Sequence, residues 1–384
     1  MKLLEYQAKE LFDKYGLRTQ KGTVLSEKAG AAEKVAAAGL AYPVVLKAQV
    51  QVGGRGKAGG VRFAENAAEV QSITDDLLFS DLKGFKVNKL LVVEKAEITT
   101  EWYLSILLDR DAKAGRIIFS ASGGVDIEET AVTNPEAIVS LPVNPLVGIS
   151  DSVVHYVCSK GGIGEGYFEP MKDLLTRLYG MFMDYSCMLA EINPLCPGAG
   201  GELLALDGKV DIDDSALYRL PDVMAWHKSM EEHEHPLINE ARASRFLYIP
   251  IEDGNRVAVM SNGSGMLMSM IDLLSKDGIT CSCALDLGGG ATRDRIAEAV
   301  RIVLSTPGVD ILYICIFGGI TRCDEVAGGV KAALEKTGSD KTIVIRMEGT
   351  NKDAGMEIIA STPGAISVGG IVEGVKAVAG RCAK

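Results

Sequence analysis

Residues 53 to 60 read Gly-Gly-Arg-Gly-Lys-Ala-Gly-Gly and follow the apolar run at 42–47, which ends in Lys47. Arg55 and Lys57 stand among five glycines, so little side-chain bulk would keep an oxyanion away, and glycine lets backbone N–H groups approach it as well. Phosphate is the first candidate. A mobile surface turn stays open, because the GxxxxGK[ST] pattern with its following helix is not present. A nucleotide phosphate also calls for a hard cation, and Mg²⁺ takes one or two protein oxygens together with phosphate oxygens. Two strand-like segments supply them: AEINPL carries Glu191 and Asn193, and LALDGK carries Asp207. PGAGGE between them reads as a hairpin turn, which would set Asn193 and Asp207 side by side. A carboxylate on an apolar strand is costly unless paired or bound to a cation, and an Asp207–Lys209 pair is the alternative use of that charge.

The elements that must position these residues differ between the two halves. From Arg256 onward five apolar runs recur, RVAVMS, CSCALDL, DILYICIF, TIVIRM and AISV, separated by helix-period segments at 266–276, 293–304 and 325–336. That alternation predicts βαβ units and a parallel sheet covered on both faces, a five-stranded doubly wound domain over about 246–384. Each run is followed by small or glycine-rich residues, SNGSG, DLGGGAT, FGGITRCD, EGTN and VGGI. Ligands of open α/β sheets bind at such carboxyl ends, where helix N-termini offer free N–H groups. The first half reads as α+β. Strands are expected in VVLKAQV, KLLVVEKA, WYLSILLDR, RIIFSAS, MLAEINPL and ELLALDGKV, and helices at 27–38 and 170–183. Leu4, Ala8, Leu11, Phe12 and Tyr15 form one face of an opening amphipathic helix that Gly16 stops. The charge-mixed stretch at 221–243 reads as a helical linker.

Composition narrows the functions. The chain has 384 residues, enough for two or three domains, and 47% apolar with 24% charged residues is globular. A net charge of −11 argues against nucleic-acid and anionic-membrane partners, and no run approaches the ~20 apolar residues of a membrane span. The start lacks a signal-peptide h-region, so the expected location is the cytoplasm, or the mitochondrial matrix if a presequence has been removed. The eight cysteines are scattered through apolar runs and read as reduced and buried. His233 and His235 do not share a helix face and read as solvated rather than metal-binding.

Lys47 at a strand end, a glycine-rich phosphate loop, VVEKA as a strand ending in an acidic hinge, and an Asn/Asp pair for Mg²⁺ together describe a nucleotide site without a Walker sequence. The motifs LLEYQAKELFDKYGL, LKAQVQVGGRGKAGGV, LAEINPL, LALDGK, SNGSGM, LDLGGGAT and FGGITRCD, in that order along the whole chain, closely resemble the beta subunits of succinate–CoA ligases.

That resemblance implies an α/β chain with an N-terminal ATP-grasp domain (α+β) at about 1–235, including a smaller part at about 20–100. A flavodoxin-like, doubly wound CoA-ligase domain at 236–384 follows. It implies that Lys47, Gly53, Gly54 and Arg55 meet nucleotide phosphates, that Glu94 and Ala96 form the hinge at the base, and that Glu101 lies near ribose and phosphates. Asn193 and Asp207 would hold Mg²⁺, and Glu191 would stabilise a phosphohistidine. Asn262, Gly319, Ile320 and Thr321 would contact the carboxylate substrate. ATP and ADP are the implied nucleotides, with GTP and GDP the alternative raised by Gln20. The phosphohistidine and CoA site would belong to an alpha subunit, since His155, His227, His233 and His235 lie in no glycine-rich loop here. Succinate is the expected acid. Thr321 stands where many members carry valine, which brings malate or another dicarboxylate in as the competing substrate. A non-catalytic nucleotide-sensing scaffold would not need Lys47, Arg55, Asn193 and Asp207 together, and a stand-alone carboxylate–amine ligase would act without a partner.

Overall fold

The computed structural model describes the chain apart from residues Gly53, Val125, Asp126, Ala199, Glu232, His233, Ser339, Ala383 and Lys384. Gly53 and His233 therefore lie outside the described residues. The chain forms two compact units, Met1–His227 and Lys228–Lys384, and the division falls inside the helix Pro221–Glu231.

The first unit carries two antiparallel sheets. The smaller has the strand order Gly22–Leu25, Leu90–Glu94, Val44–Ala48, Val61–Ala64. Its two central strands, VVLKA and LLVVE, are mostly leucine and valine, which suit a pleated surface buried on both faces. One face packs Val44, Leu46, Leu90 and Val92 on Val35 and Val70 of the helices Ala31–Ala37 and Ala67–Leu77. The period of two puts Lys47 on the other face with Val45, and there Val45, Leu91 and Val93 meet Tyr6 of the opening helix Glu5–Lys14. The left-handed Gly16, φ +73°, ends that helix as expected.

The larger sheet runs Leu203–Ala205, Cys187–Pro197, Trp102–Asp109, Ala114–Ser120, Val139–Val143, with Gly208–Ile212 also paired to Cys187–Pro197. Phe12, Leu104, Ile117, Phe119, Leu175 and Leu178 pack its core against the helices Glu5–Lys14 and Phe168–Asp184. The expected single strand in ELLALDGKV is split, with Leu206 and Asp207 between its two pieces. The reading of 27–38 as one helix also needs correction. Gly30 takes a left-handed φ of +71°, and the helix begins only at Ala31.

The second unit is a six-stranded sheet in the order Leu247–Pro250, Cys281–Asp286, Val257–Ser261, Ile311–Gly318, Thr342–Gly349, Ala365–Ser367. The five expected strands are parallel and, numbered among themselves, lie in the flavodoxin-like order 2-1-3-4-5. The sixth, Leu247–Pro250, was not expected. It is a short antiparallel edge strand ending in proline, and such a strand needs none of the continuous apolar run that marks its buried neighbours. The helices Ser264–Lys276 and Ile371–Cys382 cover one face, while Arg293–Leu304, Cys323–Thr337 and Lys352–Ala360 cover the other. No helix among the described residues is long and apolar enough to cross a membrane.

Candidate functional site

The glycine-rich loop begins where the strand Val44–Ala48 ends. Ala48 donates to the Gly60 carbonyl at 2.7 Å, and Arg55 Nη1 donates to the Ala48 carbonyl at 3.2 Å, so the loop folds back over its own strand. That path needs left-handed backbone at Gly54, φ +68°, and Gly59, φ +78°, which explains glycine at both positions.

The metal-type oxygens come from the hairpin. Asn193 N–H donates to the Asp207 carbonyl at 3.2 Å, so the two residues are neighbours as the turn between them requires. Proline at 194 has no N–H for the ladder, and the pairing to Trp102–Asp109 shifts register between Ile192 and Leu195. That irregularity turns Asn193 out of the regular sheet. Its Oδ1 accepts the Gly124 N–H at 2.8 Å. A side chain at Gly124 would collide with the Glu101 carboxylate, which brings Glu101 to the Asn193 side of the site. Glu191, two residues earlier on the same strand, accepts from the Tyr103 hydroxyl at 3.2 Å.

Gly54, Arg55, Glu191, Asn193 and Asp207 line one cavity of about 490 Å³. Lys47 lies beneath it, 13% exposed, donating to Glu5 Oε1 at 2.7 Å and to the Leu206 carbonyl at 3.2 Å. Arg55 Nη2 lies 2.8 Å from Glu5 Oε2 and 3.2 Å from Asp207 Oδ2. Two cations and two carboxylates thus form one charge cluster. Burial would weaken the Arg55 guanidinium, but the Glu5 and Asp207 carboxylates more than offset it and raise its pKa. Asp207 is pushed up to about 6, first by burial and then by the neighbouring Glu5 carboxylate, against the pull of Lys47 and Arg55.

The sequence reading did not include Glu5 in this cluster. The signal was there, since Glu5 precedes Ala8 and Phe12 at i+3 and i+7 and so stands on the apolar stripe of its helix. A carboxylate on a buried stripe needs a cation, and here it has two.

The donor set suits Mg²⁺. One carboxylate and one amide oxygen, adjacent across a hairpin and beside phosphate-type cations, form the partial hard-oxygen shell that this ion completes with phosphate and water. Among the described residues no cluster of three or more His, Cys, Asp or Glu forms a softer or self-sufficient metal site.

Glu94 is the last residue of Leu90–Glu94, a central strand of the smaller sheet. Its carboxylate accepts the Ala41 N–H at 3.0 Å and its carbonyl accepts the Gln20 amide at 2.7 Å. The half-buried Ala96 follows in irregular backbone. Neither lines the cavity with Arg55.

In the second unit Asn262 follows strand 1 of the parallel five and residues 319–321 follow strand 3. These strands are adjacent, and the order reverses between them, where ligands of such sheets bind. Asn262 Nδ2 donates to the Phe317 carbonyl at 2.8 Å, and Asn262 Oδ1 accepts the Phe317 N–H at 3.1 Å. Ile320 is exposed, whereas Thr321 is buried and its hydroxyl oxygen accepts the Gly290 N–H at 3.0 Å. Of the four histidines, His155 and His227 lie on helices and His235 caps the helix Pro236–Ala243.

Family comparison agrees with both units. The ATP-grasp domain family matches residues 2–197 and the CoA-ligase family matches residues 260–371. The chain is 41% identical over 363 residues to the beta subunit of the ADP-forming succinate–CoA ligase of Chloroflexus aurantiacus, with 94% of each chain covered. It is 41% identical over 369 residues to the protein of the same name from Desulfatibacillum aliphaticivorans, and 39% over 367 residues to that from Pyrobaculum aerophilum, each with 94% coverage of both chains. Among solved structures, the ATP citrate lyase of Methanothrix soehngenii, determined with citrate and coenzyme A, superimposes with a TM-score of 0.76. The match covers 100% of this chain and 99% of that one at 18% identity, a likeness of fold.

Proposed function

The chain belongs to the family of ADP-forming succinate–CoA ligase beta subunits, and from that premise we propose that it is the nucleotide- and acid-binding half of a heteromeric acid–CoA ligase. The reaction is succinate + CoA + ATP to succinyl-CoA + ADP + phosphate, run reversibly. The observation that carries this reading is the meeting of Arg55, Glu191, Asn193 and Asp207 around one cavity, with Lys47 directly beneath.

Lys47 and Arg55 bind and orient the phosphates, Arg55 as a fork that can take two oxygens at once. Asn193 and Asp207 would hold Mg²⁺, which offsets phosphate charge during transfer. Glu191 would accept a hydrogen bond from the imidazole of a histidine supplied by the alpha partner and orient it toward the nucleotide. The carboxylate of the acid would sit at Asn262 and at the 319–321 loop, where backbone N–H groups can take its oxygens. Transfer of the phosphoryl group from that histidine to the carboxylate gives an acyl phosphate, and the CoA thiol of the partner's site then displaces phosphate. Glu94, Ala96 and Glu101 form the base and ribose side of the nucleotide site. Thr321 is buried and its hydroxyl oxygen accepts the Gly290 N–H, a tie between two loops that accounts for the hydroxyl without a substrate partner, and the reading stays with succinate.

The test is CoA-dependent formation of ADP and GDP by this chain with its alpha partner, using succinate and malate in parallel. Turnover with succinate, only with the partner and Mg²⁺ present, is expected. Turnover with malate alone, or without the partner, would overturn the reading.

A further inference from the structure

Of the four clustered charges Lys47, Arg55, Asp207 and Glu5, the family resemblance and the proposed reaction use the first three and leave Glu5 without a role. Its side chain is only 5% exposed, yet it meets both phosphate cations, through Oε1 to Lys47 at 2.7 Å and Oε2 to Arg55 at 2.8 Å. Those are the contacts a phosphate oxyanion would make with the same two residues. The backbone around Glu5 is tied from both sides. Leu3 N–H donates to the Val210 carbonyl at 2.9 Å, and Tyr6 N–H donates to Gln49 Oε1 at 3.0 Å. Glu5 therefore cannot follow Arg55 if the loop lifts.

The two halves of the contact are unequal. Lys47 donates a directed hydrogen bond to Oε1, whereas among the described residues Oε2 accepts no well-directed hydrogen bond despite its closeness to Arg55. Arg55 also shares that one nitrogen between Glu5 and Asp207. A phosphate that offers Arg55 two aligned oxygens would be the better acceptor. The pairing to Lys47 would persist while the pairing to Arg55 gives way.

We propose that Glu5 is a positioning residue of the nucleotide site and an internal stand-in for phosphate. It holds Lys47 in place and pins the 54–60 loop through Arg55 until a nucleotide phosphate takes the guanidinium. The phosphate part of this inference rests on the nucleotide reading above, and the pinning part does not.

Trypsin, which cleaves after Arg55 and Lys57, reads the loop directly. In the full chain without nucleotide and with chelator present, Glu5→Gln should speed cleavage at these two bonds by roughly fivefold or more, as expected for loss of a charge-assisted contact that closes a segment. With saturating Mg–ATP the variant and the wild type should be cleaved at the same, slower rate. Equal rates without nucleotide would overturn the proposal. So would an equal acceleration in both states, which is what a merely loosened helix would give. If Mg–ATP fails to protect the wild type, the nucleotide reading fails and the phosphate role of Glu5 with it. Pinning is still decided by the rates without nucleotide. Should Glu5→Gln not fold, Glu5→Asp keeps the charge but withdraws it from Arg55, and the same two outcomes decide.

Discussion

Arg55 Nη2 lies 3.2 Å from Asp207 Oδ2, so the cation of the glycine-rich loop is paired with the carboxylate proposed to hold the metal. Under the proposed roles each residue occupies the other's binding group, so a cation on Asp207 would release Arg55 toward phosphate, and a phosphate on Arg55 would uncover Asp207. Metal and nucleotide binding must then favour one another, because linkage is reciprocal.

That coupling is measurable by calorimetry. Nucleotide should bind at least about tenfold more tightly with Mg²⁺ than with chelator, or ~1.4 kcal/mol. In Arg55→Ala the part of this coupling carried by the Arg55–Asp207 pair should disappear. An unchanged coupling in that variant would mean the pair does not mediate it.

Asp207→Ala should lower nucleotide-dependent phosphorylation of the alpha partner by about 10³-fold or more, the scale of losing a preorganised electrostatic contact at a transferring group. The fold should tolerate the change. The carboxyl is held above its ordinary range by burial and by Glu5, so its charged form is disfavoured where it sits. Radiolabel transfer to the partner, read beside thermal melting, checks both halves, and retained transfer would sink the metal assignment.

At the other site, Asn262→Ala removes both bonds to the Phe317 backbone, at an expected local cost of ~1–2 kcal/mol. The KM for the dicarboxylate should rise while phosphorylation of the partner by Mg–ATP stays at the wild-type rate. Thr321→Val should lose the Gly290 tie but shift the succinate-to-malate preference by less than about threefold, ~0.6 kcal/mol. A larger shift would return Thr321 to the list of specificity residues.

Seven of the eight cysteines are buried and Cys382 is half-buried. Burial pushes the Cys187 and Cys281 thiols up to about 12 and the Cys196 thiol up to about 11, far from the thiolate form that reacts. An aromatic disulfide reagent at pH 8 should therefore titrate at most Cys382 rapidly in the native protein, and all eight in denaturant. Rapid reaction of two or more thiols in the native protein would contradict the burial.

Local pattern carried much of this protein. The five parallel strands announce themselves as apolar runs because each is buried on both faces, and the helix Arg293–Leu304 was expected at its observed bounds. Asn193 and Asp207 were expected to be neighbours because only a hairpin separates them. The edge strand Leu247–Pro250 has no such signature, because a strand at a sheet edge needs no continuous apolar run. Other relationships have no local signature at all. Arg55 and Asp207 were expected in one phosphate site, and the apolar stripe says that Glu5 needs a cation, but nothing in its own helix says that the cations are Lys47 and Arg55. Thr321 and Gly290 likewise belong to loops after different strands, and only the strand order brings them together. Residue type and period determine what an element buries and what it exposes. Which buried charge meets which is decided when the elements pack, since a carboxylate taken from water must find whatever cation the fold brings to it.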